Sequence, residues 1–230
     1  MFDDSTARRH ILSDKLQPKQ ANCLLILEAD EPQSHSLFQL LQAYGYACIT
    51  LDSVSQLKRY VFDDDVAYCL LADVGTSRKS KSRLDDYIQS HPQLPVIALS
   101  CSSNVNMAVT YTRMGTVGFL TKPLQIDSLL KAVQDGLQLA RQIMDYRHQR
   151  VEYENRLMRL SQREREVLDL VIDGMSSSQI AQHLNLSVKT ISLHRTNLMN
   201  KLEADGVVHL VRMITPGPIP KLVSPWQRHV

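Results

Sequence analysis

The sequence predicts an α/β domain with a doubly wound, five-stranded parallel sheet, followed by a smaller all-α domain of four helices. Over residues 21–138, short apolar runs such as CLLIL, YCLLA and PVIAL alternate with helical patterns. Such runs are typical of a parallel sheet buried on both faces, and their alternation with helices favours right-handed βαβ units. Helical patterns alone follow over residues 159–214. We therefore expect two domains, joined by a helical linker over residues 139–158.

Each strand is predicted where a short apolar run is bounded by turn-forming residues. Strands are expected over residues 23–27, 46–51, 67–72, 95–99 and 116–120. Helices are expected near residues 33–44, 54–61, 83–90 and 104–114, and another begins at Gln125. The last of these helices has an apolar stripe predicted to cover the sheet, formed by Ile126, Leu130, Val133, Leu137, Ala140 and Met144. Its charged continuation is a candidate for pairing with a second copy of the chain.

Composition is that of a folded, reduced, intracellular protein. The 230 residues include 26 Lys and Arg against 24 Asp and Glu, and 43% are hydrophobic. Four cysteines stand singly without a C-x-x-C pair, which favours buried, reduced thiols over a zinc or dithiol site. The sequence shows no signal core or membrane-length apolar run, so we expect a cytoplasmic protein with no membrane partner. Residues 1–20 are expected to be a flexible extension and residues 215–230 a disordered tail.

Polar side chains follow the predicted strands at their carboxyl ends. These residues are Glu28, Asp30, Asp73, Ser100 and Lys122. The carboxyl ends of parallel strands meet at one edge of a doubly wound sheet, so these side chains should converge there. Clustered carboxylates can hold Mg²⁺, one of them can act as a nucleophile, and a lysine can balance the charge of a phosphate. The sequence therefore predicts a phosphoryl-transfer site.

The order of an acid, Asp, Ser and Lys-Pro along five strands, with the segments PVIALS and GFLTKP, resembles the receiver domain of bacterial response regulators. The resemblance covers residues 22–138 and implies the flavodoxin/CheY-like fold. It also implies that Asp73 is the phosphoacceptor and that Lys122 binds the phosphate. By the same match, Ser100 and Phe119 are the hydroxyl and the aromatic residue of the switch.

The metal site implied by the resemblance departs from the family pattern. Its ligands would be Glu28, Asp30, Asp73 and Gly75, but Ala29 stands where receivers usually carry a second acid. Either Asp30 substitutes through a shifted loop, or the pocket binds Mg²⁺ poorly. The usual proline after the phosphoacceptor is also missing. In its place we expect a basic loop that is solvated, partly replaces the metal or docks a partner, and it carries Arg78, Lys79, Lys81 and Arg83.

A second set of motifs points to nucleic acid. No acid occurs over residues 174–202, while Lys189, Arg195 and Lys201 lie within them, as a polyanion partner requires. Ser187 can cap a helix whose inner face carries Val188, Ile191, Leu198 and Leu202. A shorter helix over residues 176–184, a turn at 185–186 and this helix form a helix-turn-helix, in which the second helix reads DNA.

The segment LSQREREVLDLVIDGMSSSQIAQHLNLSVKTISLHRTNLMNKL resembles the DNA-binding domain of LuxR-type transcription factors, and the FixJ/NarL branch in particular. A capping box of Ser161 and Glu164 opens this domain, and a last helix spans residues 205–214. We expect Ser192, Leu193 and Thr196 to face base edges. The residues expected to hold phosphates are Lys189, Thr190, His194, Asn197 and Lys201.

Together, the two resemblances imply a DNA-binding transcriptional regulator of a two-component system rather than an enzyme. Phosphorylation of Asp73 by a sensor histidine kinase would switch it, through dimerisation and release of the helix-turn-helix. Its partners would be double-stranded DNA, the kinase, a second copy and RNA polymerase. Three alternatives remain: a phosphorylation-independent factor, a small-molecule-sensing LuxR-type regulator, and an α/β phosphotransfer enzyme. The enzyme needs a second acid two residues beyond Asp73, where the sequence has Gly75.

Overall fold

A computed structural model describes residues 22–75 and 78–214 of the chain. This part divides into two compact units, the first ending at Met144 and the second beginning at Asp145. The expectations for residues 1–20 and 215–230 lie outside the described residues. Among those that are described, every helix is either too short or too polar to cross a lipid bilayer.

The first unit is built on five parallel strands in the order β2-β1-β3-β4-β5. This is the flavodoxin-like order, in which the direction of winding reverses between β1 and β3. The predicted fold class is confirmed, and the strand ends shift by up to two residues. The strands are β1 (Asn22–Leu27), β2 (Cys48–Leu51), β3 (Ala67–Asp73), β4 (Val96–Ser100) and β5 (Gly118–Thr121).

Five helices follow the strands of the first unit. They are α1 (Glu31–Ala43), α2 (Val54–Arg59), α3 (Arg78–Ser90), α4 (Val105–Arg113) and α5 (Ile126–Met158). The residues of α5 from Asp145 onward belong to the second unit. The prediction of a basic loop over Arg78, Lys79, Lys81 and Arg83 is wrong, because α3 already begins at Arg78. The reason is local: no Gly or Pro interrupts the segment from Arg78 to Ser90. Its buried residues Leu84, Tyr87 and Ile88 recur at helical spacing, so packing extends the helix.

Each face of the sheet covers its own apolar core. Cys23, Leu25 and Leu27 of β1 belong to one core, and the alternate residues Leu24 and Ile26 belong to the other. Leu129, Val133 and Leu137 of α5 pack in the second core, and the last two belong to the predicted stripe. Ile126 was expected in this stripe but is 45% exposed, because Leu129 occupies the first inward position instead.

The second unit is entirely helical over its described residues. Its own helices are α6 (Gln162–Ile172), α7 (Ser177–Leu184), α8 (Val188–Leu202) and α9 (Val207–Ile214). Ile191, Leu198 and Leu202 of α8 are fully buried in a single core, which also takes in Tyr153 from the end of α5. The expectation that Val188 lies on this inner face is wrong, since it is 48% exposed. Val188 is the first residue of α8 and precedes the turns of the helix that pack against the core.

The cysteines are only partly as expected. Cys23 and Cys69 are buried, and burial raises the pKa of the Cys23 thiol to about 12. Cys48 is half-buried, and Cys101 is exposed because it follows the end of β4. The expectation of a buried thiol is therefore wrong for Cys101. Cys69 lies directly beneath Gly136 of α5, where a methyl group would approach the sulfur to 2.6 Å.

This contact makes the effect of Gly136→Ala depend on residue 69. Alanine ordinarily stabilises a helix over glycine by about 1 kcal/mol, whereas overpacking a core costs about 1–3 kcal/mol. We expect a net loss of up to about 2 kcal/mol in the free energy of unfolding, measured with urea. In a Cys69→Ala background the same change should stabilise, because the nearest atom of residue 69 would be its Cβ at 3.7 Å. An equal loss in both backgrounds would contradict the contact.

Candidate functional site

An acidic pocket lies at the carboxyl edge of the sheet, around the amino group of Lys122. Lys122 follows β5, and its Nζ donates to Glu28 Oε2 at 2.6 Å and to Asp73 Oδ2. A third bond goes to Gln33 Oε1 at 2.7 Å. All three donors of the ammonium are thus used. Glu28 and Asp73, which are 6% and 8% exposed, share one counter-ion.

Asp73 is held as a carboxylate at the end of β3. Burial would raise its pKa, but hydrogen bonds from Lys122 and from the backbone N–H of Gly75, at 2.6 Å, outweigh burial and lower it. Burial would likewise lower the pKa of Lys122, but its bonds to Asp73 and Glu28 raise it. Both groups are therefore charged near neutral pH. An ionised carboxylate beside a cation can accept a phosphoryl group.

The predicted switch residues lie on the neighbouring strands β4 and β5. Ser100 is fully buried, and its Oγ accepts from the Ser102 N–H at 3.0 Å. A methyl group at Gly75 would lie 3.2 Å from Asp73 Oδ1 and 4.0 Å from Ser100 Oγ, so the phosphoacceptor and the switch hydroxyl border the same turn. Phe119 is half-buried and stacks on the buried ring of Tyr111, with ring centroids 6.2 Å apart.

The donor set does not fit a magnesium site of the usual receiver kind. Asp30, which the sequence offered as a substitute ligand, caps α1 instead: its Oδ1 accepts from the Gln33 N–H at 3.0 Å. Glu28 and Asp73 are both occupied by Lys122, and Ala29 supplies no donor. In residues 22–75 and 78–214, no three His, Cys, Asp or Glu side chains gather as a metal site. The expectation of Asp30 as a ligand is therefore not supported by its geometry.

The helix-turn-helix forms where the sequence predicted it. Ser176 and Gln179 make a capping box at the start of α7, and Ser187 caps α8 by accepting from the Thr190 N–H at 3.0 Å. Asn185 makes the turn between the two helices in the left-handed conformation, with φ of 55°. Asn is among the few residues that adopt this conformation at low cost. Local sequence therefore fixes the angle at which α8 leaves α7.

The outer face of α8 is polar, with one exposed apolar side chain. Leu193 is 60% exposed, and the hydroxyls of Ser192 and Thr196 donate to carbonyls one turn earlier, at 2.9 Å and 3.1 Å. Their oxygens can still accept hydrogen bonds from outside the helix. Four further residues expected to contact DNA lie on the same helix: Lys189 and Asn197 are exposed, and Thr190 and His194 are half-buried.

Lys201, the eighth residue expected at the DNA surface, is occupied elsewhere. Its Nζ donates to Oε2 of the buried Glu164 at 2.7 Å, and this hydrogen bond lowers the pKa of Glu164 more than burial raises it. Glu164 Oε2 also accepts from the Ser161 N–H at 2.7 Å, which completes the predicted capping box. Lys201 thus joins the end of α8 to the start of α6, and its role in binding phosphate stays a prediction.

Three residues near these sites were not found by sequence reasoning. Gln33 binds Lys122, Glu164 binds Lys201, and Arg156 at the end of α5 binds the last turn of α8. Glu164 was recognised as a capping residue, but a second partner 37 residues away leaves no local signal. Gln33 and Arg156 likewise have partners at least 46 residues away in sequence.

Comparison with known proteins identifies the class. The family model of the response regulator receiver domain matches residues 24–134 of this sequence. The family model of bacterial regulatory proteins of the luxR family matches residues 158–214. The chain belongs to the response regulators that combine a receiver domain with a LuxR-type DNA-binding domain. It is a transcription regulator of a two-component system.

Individual relatives extend over nearly the whole chain. The response regulator protein TodT of Pseudomonas putida is 30% identical over 213 residues, which cover 90% of this chain and 89% of that protein. The transcriptional regulatory protein TdiR of Thauera aromatica is 29% identical over 201 residues, with coverage of 86% and 87%. The solved structure of the response regulator StyR matches with a TM-score of 0.70 and 26% identity, covering 84% of this chain and 98% of that one.

Restoring the second acid should create a metal site. Ala29 lines an open cleft of about 500 Å³ next to Glu28, which leaves room for a larger side chain. Ala29→Asp should therefore raise the affinity for Mg²⁺ by at least about tenfold, since each added carboxylate contributes an oxygen ligand to a hard cation. Isothermal titration of both forms with MgCl₂ measures the difference. Ala29→Asn, which lacks the charge, is the matched control. Equal affinities in all three would contradict this account of the pocket.

Proposed function

We propose that phosphorylation of Asp73 controls DNA binding by this regulator. The observation that carries the proposal is the pocket itself, in which an ionised Asp73 is bound to Lys122 and borders the turn that faces the Ser100 hydroxyl. A sensor histidine kinase is the donor that the family implies. In the transfer, the bond from phosphorus to the histidine nitrogen breaks and a bond to a carboxylate oxygen of Asp73 forms. The histidine nitrogen is left to bind a proton.

The phosphoryl group changes the charge that the pocket must balance. Lys122 already contacts Asp73, so it can bind the added phosphoryl oxygens with little movement. The Ser100 hydroxyl, an acceptor for the Ser102 N–H in the resting pocket, has a proton to donate to the same oxygens. Movement of Ser100 towards the phosphoryl group would free space for Phe119 to turn inward. This is a local change in charge that biases a two-state element.

On DNA, we propose that α8 enters the major groove. Ser192, Leu193 and Thr196 then face base edges, and Leu193 can contact the methyl group of a thymine. Lys189, Thr190, His194 and Asn197 hold phosphates. Two copies bound to adjacent half-sites would gain affinity through effective concentration, so a homodimer is the proposed active form. RNA polymerase is a further proposed partner, and the cytoplasm is the proposed location, where the DNA and the kinase's phosphoryl donor are found.

A second candidate is a factor of the same class that works without phosphorylation. Lys122 forms hydrogen bonds to Glu28, Asp73 and Gln33 together, and Ala29 replaces the acid that usually binds the metal directly. A pocket whose two carboxylates are already bound to an internal cation has less affinity for a metal ion. On this account the receiver would act as a fixed dimerisation or docking domain.

Incubation with a phosphoryl donor separates the two candidates. Full-length protein is treated with acetyl phosphate and Mg²⁺, and intact mass reports addition of one phosphoryl group. If phosphorylation is the switch, the wild type gains the group and binds duplex DNA at least about tenfold more tightly, while Asp73→Asn does neither. Asp86→Asn, which removes an exposed carboxylate of α3 outside the pocket, is the matched control. No mass gain, with unchanged DNA binding, would favour the phosphorylation-independent factor.

Substitutions on α8 should separate base reading from phosphate binding. Thr196→Ala should change sequence preference, at a cost of about 1–3 kcal/mol against the preferred base pair. Lys189→Ala should weaken binding to every duplex alike and reduce the slope of log Kd against log salt by about one. Fluorescence anisotropy over a salt series measures both. A loss from Thr196→Ala that is the same on all sequences would contradict its contact with a base.

A further inference from the structure

An arginine at the end of α5 holds the C-terminal end of the reading helix. Arg156 Nη1 donates to the carbonyl oxygen of Leu202 at 3.3 Å, and Nη2 pairs with Glu203 Oε2 at 2.9 Å. The same Nη2 lies 2.6 Å from Glu152 Oε1, one turn earlier on α5. Only 17% of the arginine side chain is exposed, compared with 62% of the Glu203 side chain. The guanidinium group therefore lies against the protein with its charge directed at the last turn of α8.

The chemistry of a helix end explains why a cation is placed there. The last carbonyls of a helix have no partner inside it, and the helix dipole places partial negative charge at this end. A guanidinium group satisfies one of these carbonyls and is attracted by the others. Lys201 binds Glu164 from the same turn of α8. Two charged contacts, one to α5 and one to α6, thus fix the C-terminal turn of α8.

The conformation of Glu203 gives independent evidence that the arginine contact matters. Glu203 ends α8 in the left-handed region, with φ of 54°. Glycine or asparagine is the usual residue at such a position, since a side chain there is strained, and Asn185 fills the corresponding position after α7. Glu203 keeps a strained backbone and a carboxylate that is bound to Arg156. Helix termination alone would be better served by glycine.

We propose that Arg156 is a positioning residue for DNA recognition, acting on the direction of α8 without touching DNA. It holds the Leu202 carbonyl and Glu203 while Tyr153, one turn earlier, is buried in the core that contains Ile191 and Leu198. The last turns of α5 are therefore part of the DNA-binding unit and brace its reading helix. The inference depends on the family's DNA-binding role. It adds that the end of α5 sets the direction of the helix that reads DNA.

Full-length Arg156→Met tests the proposal on two duplexes. One is selected with the wild-type chain from a random-sequence library, and the other is the same duplex with its sequence scrambled. We expect the affinity for the selected duplex to fall about tenfold, a factor equivalent to 1.4 kcal/mol, with little change on the scrambled one. The slope of log Kd against log salt should stay at its wild-type value. Equal losses on both duplexes, with a slope reduced by about one, would instead make Arg156 a phosphate contact and overturn the proposal.

Two further variants separate positioning from stability. Arg150→Met is the matched control, because Arg150 pairs with Glu154 on the same helix at 3.3 Å, and its binding should equal that of the wild type. Glu203→Gly relieves the strained backbone, so the thermal midpoint should not fall, but the selected duplex should still be bound more weakly. If Glu203→Gly binds like the wild type, the carboxylate has no part in positioning and the proposal fails. If the wild-type chain itself selects no duplex, the DNA-binding role fails instead.

Discussion

The ammonium group of Lys122 allows two buried carboxylates to stand together at the edge of the sheet. Glu28 and Asp73 would repel each other without a counter-ion, and one of them would take up a proton. A buried carboxylate that loses its partner is costly, so the lysine supports the fold of this edge as well as its chemistry. The arrangement depends on strand order, since β5 brings Lys122 from one side of β3 while β1 brings Glu28 from the other. The pocket therefore forms only when β1, β3 and β5 have taken their places in the sheet.

The sequence was sufficient to predict features that rest on local patterns or on the geometry of parallel strands. Asp73, Ser100 and Lys122 could be placed together because each ends or follows an apolar run. The role of Asp30 stayed open, because an acid before a helix can bind a metal or cap the helix, and the structure shows it as a cap. The partners of several charged residues could not be predicted either, because they lie far away in the sequence. The ion pair of Lys201 with the buried Glu164, 37 residues away, is an example.

Charges are used in opposite ways in the two units. The receiver places two acids inside the protein around one internal cation, the ammonium group of Lys122. The DNA-binding unit has no acid on α7 or α8. Two acids elsewhere in it bind cations near the end of α8: Glu164 binds Lys201, and Glu203 binds Arg156 of α5. Ser192, Thr196 and Asn197 of α8 are exposed to solvent. The modest formal charge of +2 for the whole chain conceals this division.

The serine caps of the second unit have a consequence for how fast the two units fold. Ser161, Ser176 and Ser187 each satisfy the start of their helix with a partner three residues away. Helices that begin from such short-range contacts need little loop closure, and proteins rich in local contacts fold fast. The sheet of the first unit, by contrast, must bring together strands such as β1 and β3, whose registered partners are about 45 residues apart. The helical unit, although synthesised after the sheet, should therefore complete its fold in less time than the sheet does.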